Sequence, residues 1–225
     1  MKMNWSFFIF ALFWIAISVM AAFAGGRHWY FVFCLTPGFL IYNAVRLLIL
    51  HRKKEWIAWC GLAATMIGDY CLVYQCYGRH ELGFFGGVAG FSLAQICFIT
   101  YFAQTCGFKR MVAIAGSIIA MAVLLIARHE ISPALFAALT VYGILSATSL
   151  SGAIKSDTLC FPIGVGLLFI SDITIALNWV VKPDINIITS ITYISALISF
   201  AFAIAQTGKS KKQLAEAMVP ESHKC

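Results

Sequence analysis

Two acidic residues stand where acids are rare. Asp69, in the stretch Gly68 to Leu72, lies inside a run that is otherwise apolar from Trp56 to Tyr74. Asp172, in Ser-Asp-Ile-Thr, lies inside a second apolar run from Leu159 to Val181. An acid in bilayer hydrocarbon costs about 2.5–3.5 kcal/mol even on the mild insertion scale. Such residues are therefore read as functional until another role is found. One other charged residue, Arg46, lies well inside an apolar run. It sits near the end of its run, where its long stem lets the guanidinium snorkel to the interface. With no cation at their depth, two neighbouring acids are expected to hold one proton between them. A shared proton makes one carboxyl a donor and the other a base. The plainer role is interhelical hydrogen bonding, each acid protonated and tied to backbone or serine.

The elements that carry these acids follow from composition. The chain has 225 residues, 61% hydrophobic and 11% charged, with mean hydropathy +0.88. Soluble domains run nearer 45–50% apolar and 25% charged. The apolar runs are continuous and about twenty residues long, which predicts membrane helices rather than a barrel. Eight runs are read: 5–24, 29–50, 56–74, 82–104, 111–127, 132–154, 159–181 and 185–206. The fold class predicted is all-α, a polytopic bundle of eight transmembrane helices. Residues 1–206 form that domain and 207–225 a short basic tail. The first run is longer than a signal-peptide core and is read as a retained helix. Connections are short, so function must lie inside the bundle.

Loop charges set the orientation. One side would hold Lys2, Arg52, Lys53, Lys54, Lys109, Arg110, Lys155, Lys209, Lys211, Lys212 and Lys224. The other would hold only Arg27, Arg79, Arg128 and Lys182. Positive residues favour the cytoplasm, so both termini are placed there, in the cell's inner membrane. The net charge of +7 then reflects topology. No basic stripe interleaved with aromatics points to nucleic acid.

Other chemistries find little support. The eight cysteines form no CxxC pair, and the five histidines fall in loops or tails. Zinc spacing is missing, and so is a buried Ser-His-Asp arrangement. No metal or cofactor is expected. The third and fourth runs resemble the seventh and eighth, and Asp69 and Asp172 are 103 residues apart. A shift of four helices preserves direction, so two parallel four-helix repeats would bring the acids together at one depth.

The motifs also resemble a family. Gly68-Asp69-Tyr70-Cys71-Leu72, Phe91 to Phe98 (Phe-Ser-Leu-Ala-Gln-Ile-Cys-Phe), Leu168 to Asp172 and Thr192-Tyr193, with the helical count, chain length and motif order, resemble the YhhN family of multi-pass lysoplasmalogenases. The resemblance implies an eight-helix hydrolase that cuts the vinyl ether bond of 1-alkenyl lysophospholipids, with Asp69 and Asp172 catalytic. Its substrate would come from the bilayer, and it would need no cofactor. This chain departs from the family at three positions: Thr36 stands where a Lys is usual before the proline, Gln95 where a His is usual, and Leu197 where a Gln is usual.

Chemistry agrees with that resemblance. Protonating a vinyl ether at carbon makes an oxocarbenium ion; water adds, and the hemiacetal collapses to aldehyde and alcohol. Two carboxyls with different proton affinities supply donor and base, as in glycosidases. The polar end of a cleft for such a lipid would be lined by Tyr70, Tyr74, Gln95, Tyr101, Tyr142, Ser171, Asn178 and Tyr193. Two rival classes share these features: a small proton-coupled transporter, and an inactive lipid-binding homologue. Headgroup preference, chain length and oligomeric state are not written in the sequence.

Overall fold

The computed structural model describes residues 5–25, 29–51, 53–76, 81–129, 131–181 and 186–217. Among the described residues there are eight α-helices and no strand. They are α1 (Trp5–Gly25), α2 (Trp29–Leu50), α3 (Glu55–Cys76), α4 (Glu81–Thr105), α5 (Arg110–Ala127), α6 (Pro133–Ala153), α7 (Cys160–Val181) and α8 (Asn186–Ala217). Most ends fall within two residues of the apolar runs. The exception is α8, which continues eleven residues past Gln206 to Ala217. The basic stretch there contains Lys, Gln, Leu, Ala and Glu, all good helix formers, and only Gly208 opposes them. Part of the expected tail is therefore helix; residues 218–225 lie outside the described set.

Among the described residues, three helices are long and apolar enough to cross a membrane: Gly83–Thr105, Pro133–Ala153 and Ile188–Ala205. Shorter apolar stretches occur at Phe7–Ile17, Leu35–Ile49, Arg110–Ile126 and Cys160–Ile175. The bundle also wears an apolar coat. Ile49, Met111 and Leu159 are 70%, 79% and 79% exposed. Water would penalise so much apolar surface, whereas lipid accepts it. The chain is a helical membrane protein.

Packing is organised in pairs. Helix α3 lies on α4, and α7 on α8; α1 lies on α2, and α5 on α6. Helix α2 also meets α3, as α6 meets α7, and α4 meets α6, as α8 meets α2. Adding four to each helix number, and counting on from α8 to α1, converts one contact into the other. The contacts of α5 with α7 and of α3 with α8 depart from this pattern. Where the halves meet, Phe98 of α4 stacks on Phe200 of α8, centroids 4.6 Å apart and planes 1° from parallel. Both rings are fully buried. Gly61 of α3 makes room for Phe98, as Gly164 of α7 does for Phe200.

The α3–α4 contact is the tightest near the acids. A Cβ added to Gly90 would lie 2.6 Å from the Gly68 nitrogen. Small residues at such crossings let backbones touch, which is how membrane helices associate without a hydrophobic drive. This contact holds Gly68, and so the neighbouring Asp69, at a fixed height against α4. Ser132 caps α6, accepting from the Leu135 amide at 3.3 Å, with Pro133 at the first helical position. Helix α1 packs through Phe7, whose ring meets Phe39 of α2 and Phe202 of α8 at 6.0 and 5.1 Å.

Candidate active site

Asp69 lies fourteen residues beyond Glu55, the first residue of α3; Asp172 lies twelve beyond Cys160, the first of α7. Neither acid is left to itself. The Tyr193 hydroxyl of α8 donates to Asp69 Oδ2, and the Tyr142 hydroxyl of α6 donates to Asp172 Oδ2. Each aspartate is thus fixed by a phenol from a different helix, with one carboxyl oxygen committed and the other left over. Asp69, Tyr142 and Tyr193 are all buried, and Asp172 is half-buried. Asp172 is near enough to feel the charge of Asp69, and it acts on Tyr193 as well.

A second layer surrounds the phenols. Gln95 of α4 is fully buried, and its Nε2 donates to Ser146 Oγ at 3.4 Å. Both Gln95 and Ser146 face the Tyr142 hydroxyl. Among the described residues, the Gln95 carbonyl oxygen, Oε1, has no hydrogen-bond partner. Thr65, one turn before Asp69, faces the Tyr193 hydroxyl while bonding the Leu62 carbonyl at 2.7 Å. Along the α7–α8 seam, Ser171 donates to the Thr189 carbonyl at 3.4 Å, and Thr189 donates to Thr174 at 2.8 Å.

A cleft opens beside this cluster. Its cavity volume is about 70 Å³, within about 660 Å³ of empty space once the open mouth is included, and Tyr142, Ser146 and Asp172 form its polar end. The remaining wall is apolar, with Phe84, Val88 and Phe91 of α4, Val123 and Leu124 of α5, and Leu139 of α6. Ligand sites commonly have this form, a mostly apolar pocket with a few convergent polar groups. The lining suits an apolar group whose polar end meets Tyr142 and Asp172.

The residues singled out by sequence are distributed unevenly. Asp69, Asp172, Gln95, Tyr142 and Tyr193 come together. Ser171 is buried next to Asp172 but faces the α7–α8 seam. Tyr70 is 54% exposed: successive helical residues are about 100° apart, so when Asp69 faces inward Tyr70 faces out. Tyr101 is buried against Phe102 and Phe161. Phe161 precedes Asp172 by eleven residues, which places Tyr101 roughly 16 Å along the bundle from the acid. Neither Tyr70 nor Tyr101 lines the cleft. Tyr74 and Asn178 belong to α3 and α7, and their side chains lie outside the described set.

Ser146 and Thr65 were not singled out. Their signal is spacing: Ser146 follows Tyr142 by one helical turn, and Thr65 precedes Asp69 by one. Among the described residues, no three His, Cys, Asp or Glu side chains gather as a metal-ligand set.

No curated protein and no solved structure matches the chain. The model of the YhhN family, however, matches residues 28–208, a stretch that runs from α2 into α8 and holds both aspartates, both phenols and the cleft; the chain belongs to the YhhN family.

Proposed function

We propose that the protein is a lysoplasmalogenase-like hydrolase of the cell's inner membrane. It takes a 1-alkenyl lysophospholipid from the bilayer and cuts the vinyl ether bond. The observation that carries this reading is the placement of a phenol-fixed aspartate, Asp172, at the polar end of an apolar cleft, beside a second acid of the same kind.

The chemistry runs in balanced steps. A carboxyl proton passes to the alkenyl carbon remote from oxygen, and the double bond supplies the electron pair. The adjacent carbon and the ether oxygen then share a positive charge, offset by the carboxylate left behind. Water adds to that carbon and returns a proton to the carboxylate. The hemiacetal breaks its C–O bond, releasing fatty aldehyde and a glycerophospho-headgroup. The net change is alkenyl ether plus water to aldehyde plus alcohol. Tyr142 and Tyr193 hold the acids by donating to one oxygen each, so the other carboxyl oxygen is free for proton transfer. Gln95 and Ser146 support Tyr142.

Eight membrane crossings, with both termini in the cytoplasm, complete the reading, and the four-helix shift in packing supports two parallel repeats. The test is incubation of purified protein with a 1-alkenyl lysophospholipid. Release of a fatty aldehyde supports the reading, and an intact lipid after prolonged incubation rejects it.

A further inference from the structure

The two acids are alike in sequence but not in access. Asp172 and its partner Tyr142 line the cleft, whereas Asp69 and its partner Tyr193 do not. Between the cleft and the second pair stands Phe91. Its ring forms part of the cleft wall and is only 5% exposed. It meets Tyr193 edge to face, with centroids 6.4 Å apart and planes at 87°. It also lies against Gly68, where an added Cβ would come within 3.0 Å of the ring. The glycine before Asp69 thus allows Phe91 to seat directly over the acid's own turn of helix. Leu72, one turn further along α3, continues the same apolar wall.

We propose that Phe91 is a partition: Asp172 is the acid that meets whatever occupies the cleft, and Asp69 is a positioning residue that acts on the reacting centre through its charge, without contact. This deepens the reading of the site as a two-carboxyl hydrolase, and in that reaction it makes Asp172 the proton donor. Asp69 then contributes a fixed negative field in a medium of low dielectric, where such a field reaches further than in water.

The test uses the full-length protein in detergent and an apolar reagent, dicyclohexylcarbodiimide. Labelling is run at mildly acid pH, where both carboxyls carry the proton the reaction needs; each acid adds across the C=N bond and rearranges to a stable N-acylurea, with no other reactant required, and the adducts are mapped by mass spectrometry. In the wild type Asp172 should be modified at least about tenfold faster than Asp69, and a saturated 1-alkyl lysophospholipid should protect it. Replacing the partition, Phe91→Ala, should bring Asp69 labelling up toward that of Asp172, and Phe91→Leu should have an intermediate effect. Unchanged Asp172 labelling in both variants confirms that the bundle is intact. A kinetic arm separates field from contact: Asp69→Asn should lower kcat for the alkenyl lipid and leave KM unchanged. Equal labelling of the two acids in the wild type overturns the partition. So does an Asp69 that stays unlabelled after Phe91→Ala. If the wild type cleaves no alkenyl lipid, the hydrolase reading fails while the labelling ratio still decides the partition. If it cleaves and both acids label alike, only the partition fails.

Discussion

Tyr142→Phe removes one oxygen and nothing else. The ring keeps its place in the cleft wall, so packing is conserved and the lost group is the donor to Asp172 Oδ2. A hydrogen bond to a charged group contributes about 1.5–3 kcal/mol, and removing one partner leaves the other to bear its desolvation. Asp172 borders the cleft, so a water can enter and replace part of the loss. The lower half of that range therefore applies, about 1.5–2 kcal/mol, which is roughly 10- to 30-fold in rate. The same change at Tyr193 should behave differently. Asp69 is buried and does not line the cleft, so water replaces less of the loss there. Tyr193→Phe should then act on stability, by about 2–3 kcal/mol, as well as on rate. The assay is aldehyde release from a 1-alkenyl lysophospholipid in mixed micelles, beside thermal unfolding of each purified variant. Unchanged kcat in Tyr142→Phe, or equal losses of melting temperature in both variants, would refute the reasoning.

Three further outcomes are expected. Gly90→Leu places a side chain where a Cβ already comes 2.6 Å from the Gly68 backbone; overpacking of this kind costs about 1–3 kcal/mol or more, so the purified variant should melt earlier and lose activity, and a wild-type melting curve would count against the close α3–α4 contact. A saturated 1-alkyl lysophospholipid has no π bond to accept a proton, so it should inhibit without being cleaved, and the 1-acyl ester should also survive, because the spans offer no Ser-His or Cys-His pair; ester cleavage as fast as vinyl ether cleavage would remove the two-carboxyl mechanism. A reporter fused after Cys225 should appear in the cytoplasm, and its appearance on the outer face would reverse the orientation read from the loop lysines and arginines.

The helices were legible because a span announces itself by a continuous apolar run, and seven of the eight end near the residues where those runs end. The end of α8 was not, because a basic amphiphilic stretch reads equally as solvated coil or as helix, and the chain adopts the latter through Ala217. Asp69 and Asp172 were legible for an energetic reason, the cost of an acid in apolar surroundings. Their phenol partners were harder to find. Tyr142 is 30 residues from Asp172, and Tyr193 is 124 from Asp69, so only tertiary packing could join them. Both tyrosines appeared in the sequence reading beside Tyr70 and Tyr101, which the helices carry elsewhere. Telling these apart requires helix rotation and depth, and a span that is apolar all round encodes neither clearly. A cleft was expected, but where the helices open to form it was not legible, for a related reason. It is the space left where α3 to α7 fail to close, and it depends on how helices cross rather than on which residues they contain.

Solvent deuterium reports on the proton transfer itself. If a carboxyl proton is delivered to the alkenyl carbon, hydrolysis of a 1-alkenyl lysophospholipid in D2O must place one solvent-derived deuterium on the carbon next to the aldehyde carbonyl. Because the donor, Asp172, approaches from one wall of the cleft, the label should occupy a single stereochemical position. The aldehyde is trapped by reduction as it forms and analysed by mass spectrometry and NMR. The account predicts one deuterium per aldehyde, on one face, with label-bearing product lost in Asp172→Asn. Aldehyde that carries no deuterium at that carbon, or the same labelled product from Asp172→Asn at the wild-type rate, would contradict it.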